Sequence, residues 1–353
     1  MTAHLSRAIA DTHLRRLLPL RRLPLLSVAA ATLALAATAC APGTTAGSAP
    51  PIQFGYQATI WGAPAMVADK AGTWGNSGPP VQMRALSSGA EVRDGILGGS
   101  LQAGSLGSTP FIVGAAKGQL VAVAVVAYAG KTDAVVVGKN SPITTVGALK
   151  GKKIGSQSGS VTNQIFVSHI AKKAGLAKSD YDLVNTKFQD MYSALISGQI
   201  DAFAGVDPFP QLAIYNHAGR VLTSYDPYDR TPLYLCFTQQ FVKQHPQEVV
   251  TFLKGWLKVD QKFTSAPSSV TDAVYATFAA KGTTVPKQVI SQSIRDMDIT
   301  PSFRPDDDQY LTSQAQSLIK QGAISSVPDW NQAINTSFLK QAEKAVGFSG
   351  ASS

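Results

Sequence analysis

The sequence predicts an α/β protein built as two lobes, and three observations carry that expectation. At 353 residues, with 44% hydrophobic and 15% charged residues, the chain is too long for one small domain and apolar enough for sizeable cores. From Ile52 onward, short apolar runs alternate with helix-like segments, the pattern of a largely parallel sheet flanked by helices. One such unit interrupts another. The expected layout is therefore a first lobe from 52–136 and 234–345 and a second lobe from 137–233, joined by a two-stranded hinge with crossings near 135–138 and 232–236.

The elements follow in order. "IQFGYQ" reads as a strand, "APAMVADKAG" as a helix ending at Gly72, "VQMRAL" as a strand and "EVRDGILGG" as a helix. "LQAGSLG" is a strand and "TPFIVGAAKG" a helix, and two strands, "LVAVAVV" and "AVVVG", come next. The second unit runs through "SVTNQIFVSHIAKKAGL" as helix, "YDLVNT" as strand, "DMYSALISGQ" as helix, "IDAFAGV" as strand and "FPQLAIYNHAG" as helix. After "LYLCFT" the pattern is almost wholly helical to the end.

The first forty residues differ from everything after them. Arg7, Arg15, Arg16, Arg21 and Arg22 precede an uninterrupted apolar run from Leu25 to Ala39. A positive segment, an apolar stretch and small residues before a cleavage point make an export signal. The run is shorter than the ~20 residues that span a bilayer. Ala37-Thr38-Ala39-Cys40 resembles a bacterial lipoprotein signal, which implies lipidation at Cys40; the alternative is ordinary cleavage after the small residues Ala37 to Ala39. Residues 41–51, "APGTTAGSAPP", have the composition of a flexible tether. Cys236 is then the remaining cysteine, inside apolar "PLYLCF", and reads as a buried structural thiol.

The formal charge is +9; without the five arginines and one aspartate of the first forty residues it is +5. The lysines are scattered, with no basic helix or basic-aromatic interleaving, so no nucleic-acid partner is expected. Catalytic patterns are nearly absent. His169, His217 and His245 lack the i, i+4 spacing of a helical metal pair. In "GSQSGS" Gln157 stands where a nucleophile elbow requires serine. "VVAYAGKT" has Val125 in place of the first P-loop glycine. Asp306, Asp307 and Asp308 suit the first turn of a helix. No metal and no cofactor are expected.

Two junctions stand out. "LGSTPF" and "SGSVTN" each place small hydroxyl residues where a strand leads into a helix, and unpaired backbone N–H groups there favour an anionic oxygen. Ser108 or Thr109 is the expected cap with Pro110 at the first helical position, and Ser160 the cap with Thr162 in the first turn. Asp207 and Pro208 are the expected cap and first residue of the helix that follows "IDAFAGV".

"FGYQ", "GSTP", "GALKGKKIGSQSGS", "AKKAGL", "DMYSALISGQIDAFAGVDPFPQLA", "GRVL" and "QEVVTFLKGW" resemble, in order and spacing, the extracytoplasmic substrate-binding proteins of nitrate, sulfonate and taurine type ABC importers, the NMT1-like group. The likeness covers residues 52 to 340. It implies a type II periplasmic-binding-protein-like fold, α/β and two-lobed with a helical C-terminal part. It implies hinge closure over a small anionic solute, delivery to a membrane permease with its cytoplasmic ATPase, and a monomer held at the membrane by its lipid anchor. By position it points to Gln57, Ser108, Thr109, Ser160, Thr162, Asp207 and Pro208, with Trp61 beside them and Tyr56 and Phe209 as candidate walls. Val206 departs from the family's tryptophan before the acid-proline pair. Binding or biosynthesis of a thiamine-precursor pyrimidine, and ligand sensing for a signalling receptor, are the alternatives.

Overall fold

A computed structural model describes residues 51–75 and 78–348, all within one compact unit. The predicted signal segment, Cys40 and the tether up to residue 50 lie outside the described residues. Ten strands form two five-stranded sheets. They are β1 (Ile52–Gln57), β2 (Val81–Leu86), β3 (Ala103–Gly107), β4 (Leu120–Tyr128), β5 (Asp133–Gly138), β6 (Lys153–Ser156), β7 (Asp182–Asn185), β8 (Ala202–Val206), β9 (Gly219–Ser224) and β10 (Pro232–Thr238).

The first sheet has the order β2-β1-β3-β10-β4 and the second β7-β6-β8-β5-β9. β10 pairs antiparallel with β3 and β4, and β5 antiparallel with β8 and β9. Each sheet thus receives, next to its last strand, one antiparallel strand arriving from the other sheet. The physical basis is plain in β4, "LVAVAVVAY", buried at all nine positions as a central strand covered on both faces must be.

The helices mostly follow the sequence expectation. Ala63–Ala71 begins with a proline in its first turn and stops at Gly72, whose φ of 55° is the left-handed conformation glycine adopts without a steric cost. β9 was not expected as a strand; "GRVLTS" is a half-buried edge with a weak apolar signal. The long C-terminal helix Pro246–Ser265 packs its aromatic residues on the first sheet, Phe54 stacking on Phe252 at 5.4 Å and lying the same distance from Trp256. Cys236 is buried in β10, and burial pushes its thiol well above the ordinary range.

The chain changes sheets between Tyr128 and Asp133 and again between Ser224 and Pro232. The expected boundary at residue 136 falls inside β5, which pairs wholly within the second sheet. A continuous apolar run carries no mark of the sheet it joins, so this displacement is intrinsic to reading the pattern alone. The crossings themselves are turns. Gly130–Thr132 is a single 3-10 turn, and Ala129 and Gly130 donate their N–H groups to the carbonyl of Arg230 at 3.0 Å. Thr231 sits at φ 46°, an uncommon conformation for a β-branched residue.

Candidate functional site

The first expected junction lies at the end of β3. The helix Ser108–Ala115 has Gly107 as its cap and no side-chain cap bond, so Ser108 and Thr109 stand inside the first turn and neither caps it. Ser108 is committed elsewhere: its hydroxyl lies 3.2 Å from Tyr310, whose own proton goes to Asp229, which makes Ser108 the donor. Thr109 Oγ1 is buried with no hydrogen-bond partner among the described residues.

At the second junction Ser160 caps the helix Val161–Ile165, which continues as a π-helical turn through Ala171. Its hydroxyl accepts from Asn163 N–H at 3.0 Å and donates to the Gln157 carbonyl at 2.7 Å. Thr162 donates to Oδ1 of Asp133 at 2.8 Å. The first turn of this helix, expected to receive a ligand's anionic oxygen, is therefore supplied with a carboxylate by the chain itself. The two junctions meet directly: a Cβ on Gly107 would stand 2.8 Å from Cγ1 of Val161.

Asp207 does not cap the helix Phe209–Tyr215. Pro208 occupies the cap position, without a side-chain cap bond, after a cis Asp207–Pro208 peptide. The carbonyl of Asp207 accepts from Ile60 N–H at 2.9 Å, tying the second lobe to the start of the first. Its carboxyl is buried, and Oδ2 has no hydrogen-bond partner among the described residues. Burial raises its pKa to about 7, with Asp296 adding to the rise and Ser293 and the Gln211 amide opposing it. Beside it, Thr59 Oγ1 is likewise buried and unpartnered among the described residues. Trp61 donates its indole N–H to Thr132 at 2.8 Å and so braces a crossing. Gln57 is buried near Gly89, and Tyr56 and Phe209 belong to the core.

Three groups that matter here carried no local signal. Asp133 is fully buried, and burial drives its pKa well up; Thr162 opposes the rise, while Asp207 and Asp229 add to it. Asp229, in the second crossing, accepts from Thr231 N–H at 2.7 Å, Tyr310 at 2.9 Å and Gln314 at 3.0 Å, with His169 Nδ1 3.7 Å away. Arg230 forks between Asp306 at 2.7 Å and Asp307 at 2.6 Å and lies over the ring of Tyr310. Acidic and basic residues crowded into "YDPYDRTP" are the one hint in the sequence that this crossing is a polar centre.

Among the described residues no lysine or arginine pairs with Asp133 or Asp207, and no cluster of histidine, cysteine and carboxylates is arranged for a metal. Two surface grooves of about 700 and 790 Å³ lie elsewhere, one on the second lobe around Asn185 and Asp190, the other between C-terminal helices around Thr271 and Arg295. Neither includes any expected site residue, so the polar seam between the lobes is the candidate site.

The NMT1-like family profile matches residues 46–276. A protein of Escherichia coli (strain K12) named for binding aliphatic sulfonates is 33% identical over 135 residues, 38% of this chain and 42% of that protein. One of the same description from Bacillus subtilis (strain 168) is 27% identical over 213 residues, 59% of this chain and 63% of that one. The chain thus spans less than two thirds of these curated relatives. The alkanesulfonate-binding protein of Xanthomonas axonopodis pv. citri, solved with MOPS, superposes with a TM-score of 0.72 over 81% of this chain and 98% of its own, at 18% identity. The periplasmic nitrate-binding protein of Synechocystis PCC 6803 superposes at 0.67 over 84% and 89%, at 14% identity. At such identities the likeness is one of fold.

Proposed function

Since the chain belongs to the NMT1-like family and has its two-lobed, periplasmic-binding-protein-like fold, we propose that it is an extracytoplasmic solute receptor of an ABC importer. It captures a small, acid-bearing solute between its lobes and delivers it to a membrane permease driven by a cytoplasmic ATPase. The observation that carries this reading is the seam itself. Buried polar groups without partners among the described residues come from both sides of it, Thr59 and Thr109 from the first lobe and Asp133 and Asp207 from the second.

A ligand reaching both sides gains hydrogen bonds in the closed state that it lacks in the open one, and that difference drives closure. The chain works by capture and release, with Ser160 and Thr162 shaping the second wall and Gln57, Trp61, Ser108 and Pro208 the frame around it. Export, attachment through Cys40 and a monomeric state belong to the same proposal. No helix among the described residues is long and apolar enough to cross a membrane, and the basic, apolar N-terminal segment is the feature that supports export.

The test is a thermal-shift screen of sulfonates, nitrate, aromatic carboxylates and pyrimidines. A ligand at 100 times its Kd stabilises by about 2.7 kcal/mol, which moves the melting temperature by degrees. Absence of any shift across the four classes, or turnover of one of them, overturns the receptor reading. Globomycin treatment and a Cys40→Ala variant test the anchor: both should abolish the lipidated form on a lipid-labelled gel.

A further inference from the structure

The seam is acidic where an anion receptor would be basic. Asp133 and Asp207 lie at the joined ends of β5 and β8, where Val206 pairs with Asp133 and Asp207 N–H donates to the Thr132 carbonyl at 2.9 Å. Each keeps one carboxylate oxygen, Oδ2, buried without a partner among the described residues. Three threonine hydroxyls, of Thr59, Thr109 and Thr231, are buried and unpartnered in the same sense. The charged groups facing the pair are Asp229 and Asp296, both acidic. Arg230 is spent on Asp306 and Asp307, and His169 faces Asp229.

A buried carboxylate with no donor is costly, and a solute that brings one removes that cost. An anionic group approaching Thr162 would meet the carboxylate of Asp133 already there.

Resting on the receptor reading above, we propose that the solute carries a cationic or N–H-rich nitrogen group, an ammonium or amino-heterocycle nitrogen, bound by Asp133 and Asp207. Its acid group, where it has one, turns toward Thr109 and the first turn of Ser108–Ala115. Simple inorganic anions and unsubstituted alkanesulfonates are then poor ligands. Aminosulfonates, amino acids of similar size and aminopyrimidines form the favoured class.

The experiment compares matched pairs by calorimetry on the purified protein: 2-aminoethanesulfonate with ethanesulfonate, 4-aminopyrimidine with pyrimidine, and 4-aminobenzoate with benzoate. In the pair that binds, the amino member should be tighter by about tenfold or more, equivalent to about 1.4 kcal/mol. Asp207→Asn and Asp133→Asn should shrink that preference severalfold. For the aminosulfonate, affinity should rise between pH 6 and pH 8, because binding requires the ionised carboxylate. Equal or tighter binding of the unsubstituted member, or affinity that falls as pH rises, overturns the nitrogen-bearing class and leaves a receptor for anions. No binding by any of the six overturns the receptor reading and the substrate class together. The wild-type pairs decide the matter even if a variant fails to fold.

Discussion

Thr162 donates its hydroxyl proton to Asp133 at 2.8 Å, joining the first turn of a second-lobe helix to the strand that enters that lobe. The partners are 29 residues apart and both fully buried. Removing the hydroxyl with Thr162→Val leaves Asp133 short of its side-chain donor and should cost about 1–3 kcal/mol. Adding Asp133→Asn should recover much of the loss, a coupling readable in a double-mutant cycle of urea denaturation. Additive losses would mean that the pair contributes nothing as a pair.

Asp207 makes stability depend on pH. Its folded pKa of about 7 lies above the ordinary carboxylate value, so between about pH 4 and pH 7 the folded state binds more protons than the unfolded one. Stability from this residue is therefore full at acid pH and is lost as pH rises through the window, by up to about 4 kcal/mol at ~1.4 kcal/mol per unit. Asp207→Asn should melt higher than the wild type at pH 8 and alike at pH 4. Asp133 and Asp260, both raised by burial, act in the same direction and persist in the variant.

Arg230 holds Asp307, which is 1% exposed, and Asp306, which is 60% exposed. Arg230→Ala strands a buried carboxylate and should cost roughly 3–5 kcal/mol. Arg230→Lys keeps the charge and loses the fork, so it should fall between the two. Denaturation midpoints of the three proteins check the order.

Gly107 adopts φ −69°, open to any residue, so space alone limits substitution there. Gly107→Ala should prop the lobes apart against Val161 and weaken solute binding about tenfold, equivalent to about 1.4 kcal/mol. Val161→Ala in the same chain should restore affinity. Calorimetry of both variants, with a lasting defect in the double variant, would show that the contact does not govern closure.

Ser160→Ala removes a helix cap and should cost about 1 kcal/mol. Both hydrogen bonds of its hydroxyl are internal, so solute affinity should stay unchanged. A loss of affinity without loss of stability would return Ser160 to the ligand.

Strand and helix order, the cap at Ser160, the burial of Cys236 and the two lobes were legible in "IQFGYQ", "SGSVTN", "PLYLCF" and the interrupted α/β pattern, because each is written in local periodicity and capping chemistry. The capping role expected of Asp207 and the ligand roles expected of Ser108 and Thr162 rested on the same local cues. Those cues do not say where a side chain turns once a second segment arrives. Tyr310 takes Ser108 across 202 residues, and Asp133 takes Thr162 across 29.

The amino-acid order alone thus establishes the layers, their junctions and the kind of residue placed at each, since turns, caps and apolar runs act over a few neighbours. Folding in three dimensions settles which of those polar groups satisfy one another and which stay free. Pairings such as Asp229 with Tyr310, 81 residues apart, form when long-range packing removes water. The same removal leaves Asp133 and Asp207 as the acidic face of the seam.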